Sequence, residues 1–432
     1  MNIQDRLKKG RLIFDGAMGT QIQKMETNPI IPEVLNIESS EDITEIHRRY
    51  IEAGAQVITT NTFNANPLKL QKAGLEVKQV VTQGVACAKE ASKGKEVYVA
   101  LDMGPIGQLL EPAGTLTFDQ AYDIFKEQVI AGEKAGADLV LIETMSDIYE
   151  MKSAVLAVKE NTKLPVFCTM TFAENQKTMN GTDAQTLVTY LEALKVDVLG
   201  VNCSTGPNKL KYVVEDILQY ASIPVMVQPN AGLPVFKDGK TEYDIDKTEF
   251  VQEMEKMIRK GVHVVGGCCG TSPDYIEMLV KAMENIPEQA RLEQEQENDF
   301  PTVASSYRKT VAYDGHLVVV SENLIAAFKR ELREGIEKSD YGKFSAIARK
   351  DKKAGADLIN LNAFVPGTDE EMHLPRIIKS IQRSNDLPIQ VESRNEKALE
   401  QALRYYNGKA VVNGINASQE SMEKIFPLLA RY

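Results

Sequence analysis

Two adjacent cysteines, Cys268 and Cys269, stand between glycines in the stretch GGCCG (266–270), and the whole chain of 432 residues holds only five cysteines. Neighbouring cysteines rarely bond to each other, because the ring would strain the peptide between them. A buried pair, a redox pair and a metal clamp are the remaining readings. A third cysteine, Cys203, ends the apolar run in GVNCS (200–204). Three thiolates on one ion with a fourth position open form a catalytic zinc arrangement. The CxxC pairs of structural zinc sites are absent from the sequence, so everything depends on whether the fold brings position 203 to positions 268 and 269. Such a centre has a net charge of about −1 and is a poor Lewis acid for water. It suits a thiol substrate, which it deprotonates at neutral pH while leaving the sulfur nucleophilic. The chemistry this points to is transfer of a group to a substrate thiol. Cys87, in a helical pattern, and Cys168, inside a strand pattern, read as core residues.

The elements that must position these thiols announce themselves as a repeat. EAGAQVITTNTF (52–63), KAGADLVLIETM (134–145) and KAGADLINLNAF (353–364) share one pattern, and LKVDVLGVNCS (194–204) and KGVHVVGGCCG (260–270) are looser relatives. In the first three, a helix ends on a glycine cap and a short apolar run follows. Runs with little polar alternation suit parallel strands buried on both faces. Adding RLIF, VYVAL, PVFCTM and PVMVQ gives eight strands before residue 270, with amphipathic stretches such as SEDITEIHRRYIEAG (40–54) between most of them. Their ends carry Asp15, Asn61, Asp102, Glu143, Thr171, Asn202 with Cys203, Asn230, and Cys268 with Cys269. Eight β-α units in this length, with polar residues at the strand ends, predict an α/β fold of the (β/α)8 TIM-barrel type. A doubly wound sheet would show a glycine-rich phosphate loop after an early strand, and DGAMGT (15–20) does not have that spacing. Strands six and eight share parity in a barrel, so the three sulfurs can converge at its mouth.

Lys and Arg number 50 against 61 Asp and Glu, a net charge of −11. That argues against nucleic acid or an anionic membrane as partner. The polar start MNIQDRLKKGRLIFDG does not read as a signal peptide, and no apolar run reaches the ~20 residues of a membrane span. Few, unpaired cysteines fit reduced thiols in the cytoplasm. The expected organisation is a barrel over 1–286, a polar linker over 287–312 and a second, partial β/α barrel of about four β-α units over 313–432.

The motifs LIFDGAMGT (12–20), TTNTF (59–63), LIETM (141–145), GVNCS (200–204), PNAGLP (229–234) and GGCCGT (266–271) occur in order over roughly residues 5–285. In these the chain resembles the homocysteine S-methyltransferase domain, and more closely the N-terminal module of the cobalamin-dependent methionine synthase type. The resemblance implies Zn2+ held by Cys203, Cys268 and Cys269, with homocysteine sulfur at the open position. It implies that the backbone of Gly16 and Ala17 takes the substrate carboxylate, and that Glu143, helped by Asp15, binds the ammonium. Free N–H groups in a glycine turn do suit an anion. Asn202 is expected to orient the site, and Asn61 and Asn230 to support it or to shape turns. Met18, Met145 and Met170 are expected as core or pocket wall.

Residues 313–432 resemble the first half of a pterin-binding barrel, carried by DLINLNAFVPGTDEEM (357–372) and LPIQVESRNEKALEQALRYYNGKAVVNGIN (387–416). Glu322, Asn362, Glu392, Asn413 and Asn416 are the vestigial pterin-binding positions the resemblance implies. Where the pattern has Gly-Glu-Arg-Ile-Asn this chain has SENLI (321–325), and where it has Asp-Thr-Ser the chain has ESR (392–394). These losses argue against folate binding and for a domain kept for packing or for docking a partner. Open strand edges are a hazard, which a homodimer or a separate chain completing the barrel would remove. No Asp-x-His-x-x-Gly motif is present, so a methylcobalamin donor would be carried by another protein. Methyl transfer from a methylcorrinoid or methyltetrahydrofolate system to homocysteine is the expected function. The alternatives are S-methylmethionine or betaine as donor, or a protein that binds homocysteine and zinc without turnover.

Overall fold

The structure is a computed structural model and describes residues 1–25, 29–237, 240–287 and 302–432. The chain divides into two compact units: Met1–Asn180 with Lys195–Glu295, and Gly181–Leu194 with Gln296–Tyr432.

The first unit is built on an eight-stranded parallel sheet. Its strands are β1 (Leu12–Ile13), β2 (Val57–Thr59), β3 (Tyr98–Met103), β4 (Leu139–Met145), β5 (Val166–Met170), β6 (Val198–Cys203) and β7 (Val225–Pro229). An antiparallel hairpin, β8 (Pro234–Lys237) with β9 (Lys240–Tyr243), intervenes before the last barrel strand, β10 (Val264–Val265). Hydrogen-bonded order runs β1-β10-β7-β6-β5-β4-β3-β2, and a bridge from Phe14 to Val57 joins the two ends. All eight expected runs are strands, and the closed order is that of a TIM barrel, not of a doubly wound sheet.

The glycines of the repeat do what their position requires. Gly54, Gly136 and Gly355 have φ of +98°, +96° and +92°, the left-handed conformation that ends a helix without a Cβ clash. Helix Phe118–Ala135 shows both ends of this logic. Thr117 and Gln120 form a capping box at its start, and Gly136 closes it.

Inside the barrel, Leu12, Phe14, Val57, Ala100, Leu139, Leu141, Phe167, Val198, Met226 and Val264 make one apolar core, with the Phe14 and Phe167 rings 5.9 Å apart. Side chains alternate along a strand, so the inward residue two positions further on sits one layer higher. That next layer is polar, and it forms the floor of the site described below. Among the described residues no helix is long and apolar enough to cross a membrane.

The second unit carries the parallel sheet β13 (Val320–Ile325), β14 (Leu358–Asn362), β15 (Ile389–Glu392) and β16 (Val411–Asn413), paired in that order. This is the expected partial β/α barrel of four units. The stretch expected to be a linker differs. Residues 288–301 lie outside the described residues, but β11 (Thr302–Ser305) and β12 (Thr310–Tyr313) form an antiparallel hairpin. Tyr406 fastens it: its buried hydroxyl donates to Ser305 O at 2.8 Å and accepts from Ile389 N at 3.0 Å. Ala304 and Val311 pack with Leu358 in a small apolar core.

Candidate active site

Cys203 is the last residue of β6, and Cys268 and Cys269 follow β10 after the Gly266–Gly267 pair. Their three sulfurs lie within 4.8 Å of one another. The backbone is bent to achieve this. Cys203 and Ser204 have φ of +55° and +65°, a conformation that costs side-chain-bearing residues energy and clusters at functional sites. Across from them, Cys268 N–H donates to Pro229 O at 2.8 Å and Ala231 N–H to Cys269 O at 2.9 Å, tying the cysteine loop to the end of β7. Gly270 turns with φ +85°, and a Cβ there would stand 2.4 Å from the Tyr243 ring. The glycines thus let adjacent cysteines face one point.

The thiols share charge unequally. Cys268 and Cys269 donate S–H bonds to Cys203, which holds its thiol far below the ordinary range, and both donors are pushed up. One sulfur therefore takes the negative charge while the other two stabilise it. Three soft sulfur donors converging in this way fit a zinc ion.

Glu143 is buried near the end of β4 and is pushed up to about 8, chiefly by burial and then by the Cys203 charge. Asn202 is fully buried and orients it: Nδ2 donates to Glu143 Oε2 at 3.2 Å and to Thr144 Oγ1 at 2.7 Å. Its Oδ1 accepts from Thr144 N–H at 2.8 Å and from Thr169 Oγ1 at 2.9 Å. Asp15 accepts from both Thr59 N–H and Thr59 Oγ1 at 2.8 Å. Burial outweighs those bonds and raises its carboxyl to about 7. Asp102 stands well above the usual carboxylate range through burial and the neighbouring Glu143 and Glu33.

Gly16 and Ala17 lead from Asp15 into helix Met18–Ile22. Ala17 N–H donates to Thr271 Oγ1 at 3.2 Å, and Gly16 and Ala17 both line the cavity. Asp15, Gly16, Ala17, Asp102, Glu143 and the three cysteines line one cavity of about 390 Å³, together with Met18, Phe63, Gln228 and Tyr243. Met145 and Met170 are core residues, as are Cys87 and Cys168.

Asn61 and Asn230 separate. Asn61 shapes a loop, donating to Pro32 O at 3.0 Å and Asn36 Oδ1 at 2.9 Å. Asn230 is buried at the end of β7, and its Oδ1 has no hydrogen-bond partner among the described residues. Sequence reasoning missed Thr59, Thr144, Thr271 and Tyr243. Thr59, Thr144 and Thr271 stand inside the motifs TTNTF, LIETM and GGCCGT and were legible there as hydroxyls, but Tyr243 arrives on the inserted hairpin, which no periodicity marks.

In the second unit, Asn362, Glu392 and Asn413 are aligned across β14, β15 and β16 at the C-terminal strand ends. Glu392 Oε2 accepts from Asn360 Nδ2 at 2.8 Å. Glu322 does not join them: it lies exposed where the β13 register shifts between Ser321 and Leu324. Asn416 is exposed after β16, where its Oδ1 accepts from Ser418 N–H.

A family model described as homocysteine S-methyltransferase matches residues 12–283. The chain is 31% identical over 437 residues to a methionine synthase of Mycobacterium tuberculosis, covering 96% of this chain and 36% of that protein. It is 29% identical over 438 residues to a methionine synthase of Mycobacterium leprae, with the same coverage of 96% and 36%. The chain thus spans about a third of the length of these curated relatives. Among solved structures, the homocysteine methyltransferase MmuM from Escherichia coli in its metallated form has a TM-score of 0.54 at 22% identity, over 62% of this chain and 95% of that one. Its apo form gives 0.52 at 22% identity, over 63% and 96%. At that identity the likeness speaks for the barrel fold.

Proposed function

The chain is an enzyme of the homocysteine S-methyltransferase family, and from that premise we propose that its barrel transfers a methyl group to the thiol of homocysteine, giving methionine. The observation that carries this is the convergence of Cys203, Cys268 and Cys269 within 4.8 Å at the ends of two barrel strands. These three residues would hold the family's zinc ion. When bound by three thiolates, zinc lowers the pKa of an arriving thiol and keeps its sulfur nucleophilic.

The protein's own groups do the rest. The backbone of Gly16 and Ala17, in the glycine turn ahead of helix Met18–Ile22, receives the substrate carboxylate. Glu143, aimed by Asn202, receives the ammonium, and Asp15, held by Thr59, supports it. With both ends of the substrate fixed, its sulfur presents one lone pair to a donor methyl group from the open side of the cavity. The new S–CH3 bond forms as the donor–CH3 bond breaks, and the bonding pair leaves with the donor. Placement of the nucleophile supplies much of the rate in such a transfer, and no general base of the barrel enters the methyl step.

The curated relatives are methionine synthases, which supports methionine as product, and the donor of this reading is a methylcorrinoid or methyltetrahydrofolate system. The test is a methyl-transfer assay on homocysteine comparing a methylated corrinoid protein, methyltetrahydrofolate, S-methylmethionine and betaine. Methionine formed from the corrinoid or folate donor is the expected result. Turnover that survives complete zinc removal would sink the proposal, and turnover from only S-methylmethionine or betaine would overturn the donor assignment.

A further inference from the structure

The barrel cavity holds more carboxyl groups than the roles above use. Ala100 and Leu141 belong to the apolar core of the barrel. Asp102 and Glu143 lie two residues further along β3 and β4, so strand alternation turns both carboxyls inward, one layer above that core. Both line the same cavity. The backbone of Asp102 is fixed: its N–H donates to Thr60 Oγ1 at 3.1 Å, and its carbonyl accepts from Thr62 Oγ1 at 2.8 Å. The side chain is only 7% exposed, and Oδ1 has no hydrogen-bond partner among the described residues. Asp15 differs, because Thr59 already occupies both of its oxygens.

A buried acceptor without a donor is costly. Among the described residues no lysine, arginine or histidine lines the cavity, and Lys69, whose charge acts on Asp102, gives its Nζ to Asn64 Oδ1 and Pro105 O. Among the described residues only the three cysteines converge closely enough to hold a metal ion, so a second ion does not answer for Asp102. A ligand entering the cavity can bring that donor. Two neighbouring inward carboxyls call for a cation bearing several N–H groups, which is a primary ammonium.

We propose that Asp102 is a substrate-binding residue that holds, together with Glu143, the α-ammonium of the thiol substrate, and so makes the site select an amino-acid thiol over the same thiol without its amine. This rests on the reading of the barrel as a homocysteine site. An arriving ammonium satisfies both acids, whereas the desamino thiol leaves Asp102 as it is in the free protein.

The experiment is calorimetric titration of the zinc-loaded protein and its Asp102→Asn variant with homocysteine and with 4-mercaptobutanoate, which is homocysteine lacking the amine. Asp102→Asn is expected to weaken homocysteine by about tenfold or more, to leave 4-mercaptobutanoate within about twofold, and to keep the wild-type zinc content. Equal weakening of both thiols, or of neither, overturns the proposal. A wild-type protein with no preference for homocysteine over 4-mercaptobutanoate instead sinks the amino-acid-thiol reading beneath it, so the two failures are distinct. Circular dichroism checks the fold, and Asp102→Ser repeats the comparison if the asparagine variant is misfolded.

Discussion

Three sulfurs that sit within 4.8 Å of one another make opposite demands on the protein depending on what they hold. Without a metal they must share protons, and Cys203 becomes the acceptor of the other two S–H groups. With a metal all three are thiolates. Replacing Cys203 by serine removes the sulfur on which both arrangements depend. Cys203→Ser and Cys268→Ala are each expected to lose one-to-one zinc binding, measured as metal content after gel filtration, and to lower methyl transfer by at least ~100-fold. Either variant retaining stoichiometric zinc would refute the ligand assignment. The cysteines were legible because each ends an apolar run, and runs are what sequence shows best. Their unequal sharing of charge was not legible, because it depends on the hydrogen bonds that Cys203 receives from Cys268, Cys269, the Ser204 backbone and Asn230, which only the fold assembles.

Elements were legible where hydrophobic period and a glycine cap coincide, and opaque where an element is polar and short. The eight barrel strands and the four strands of the second sheet all follow apolar runs. The hairpin β11–β12 does not: TVASSYRKTVA (302–312) alternates small, polar and charged residues and reads as linker. Its stability comes from bonds made far along the chain. Ser305 N–H donates to Lys409 O at 2.9 Å, Ser306 Oγ to Asp386 O at 2.6 Å, and the Tyr406 hydroxyl bridges Ser305 O and Ile389 N. Tyr406 follows helix Glu396–Tyr405 as its extended C-cap, and nothing in the sequence names its partners. Tyr406→Phe leaves a buried carbonyl and a buried N–H without that bridge, at a cost of about 1–3 kcal/mol. Native-state hydrogen exchange should then show faster exchange at Ile389 and across β11–β12, with the barrel strands of the first unit unchanged. Unaltered protection at Ile389 would mean that the hairpin is held by other contacts.

At the scale of the whole molecule, the net charge of −11 was plain from composition, but not which of the 61 acidic residues the fold would bury. The barrel buries several, and this sets the direction of its pH response. Glu150 is 6% exposed, and its Oε1 accepts from Ile106 N–H at 2.7 Å. Burial dominates that bond and pushes the carboxyl up to about 7, from an ordinary value of 4.5. The folded state therefore keeps this proton between about pH 4.5 and 7 while the unfolded chain has lost it. Stability contributed by the protonated form is complete below the unfolded value and is lost as pH rises through the folded one. Asp15, raised to about 7 by the same cause, acts in the same direction. Glu150→Gln keeps the acceptor for Ile106 N–H and removes the titration. It is expected to make the protein more stable than the parent at pH 8, by on the order of 1–3 kcal/mol. The advantage should shrink as pH falls through 7 and vanish near 4.5, as followed by urea unfolding at a series of pH values. A constant difference across that range would show that Glu150 does not carry the linkage, and a parent more stable at pH 8 than at pH 6 would show that the buried acids as a group do not.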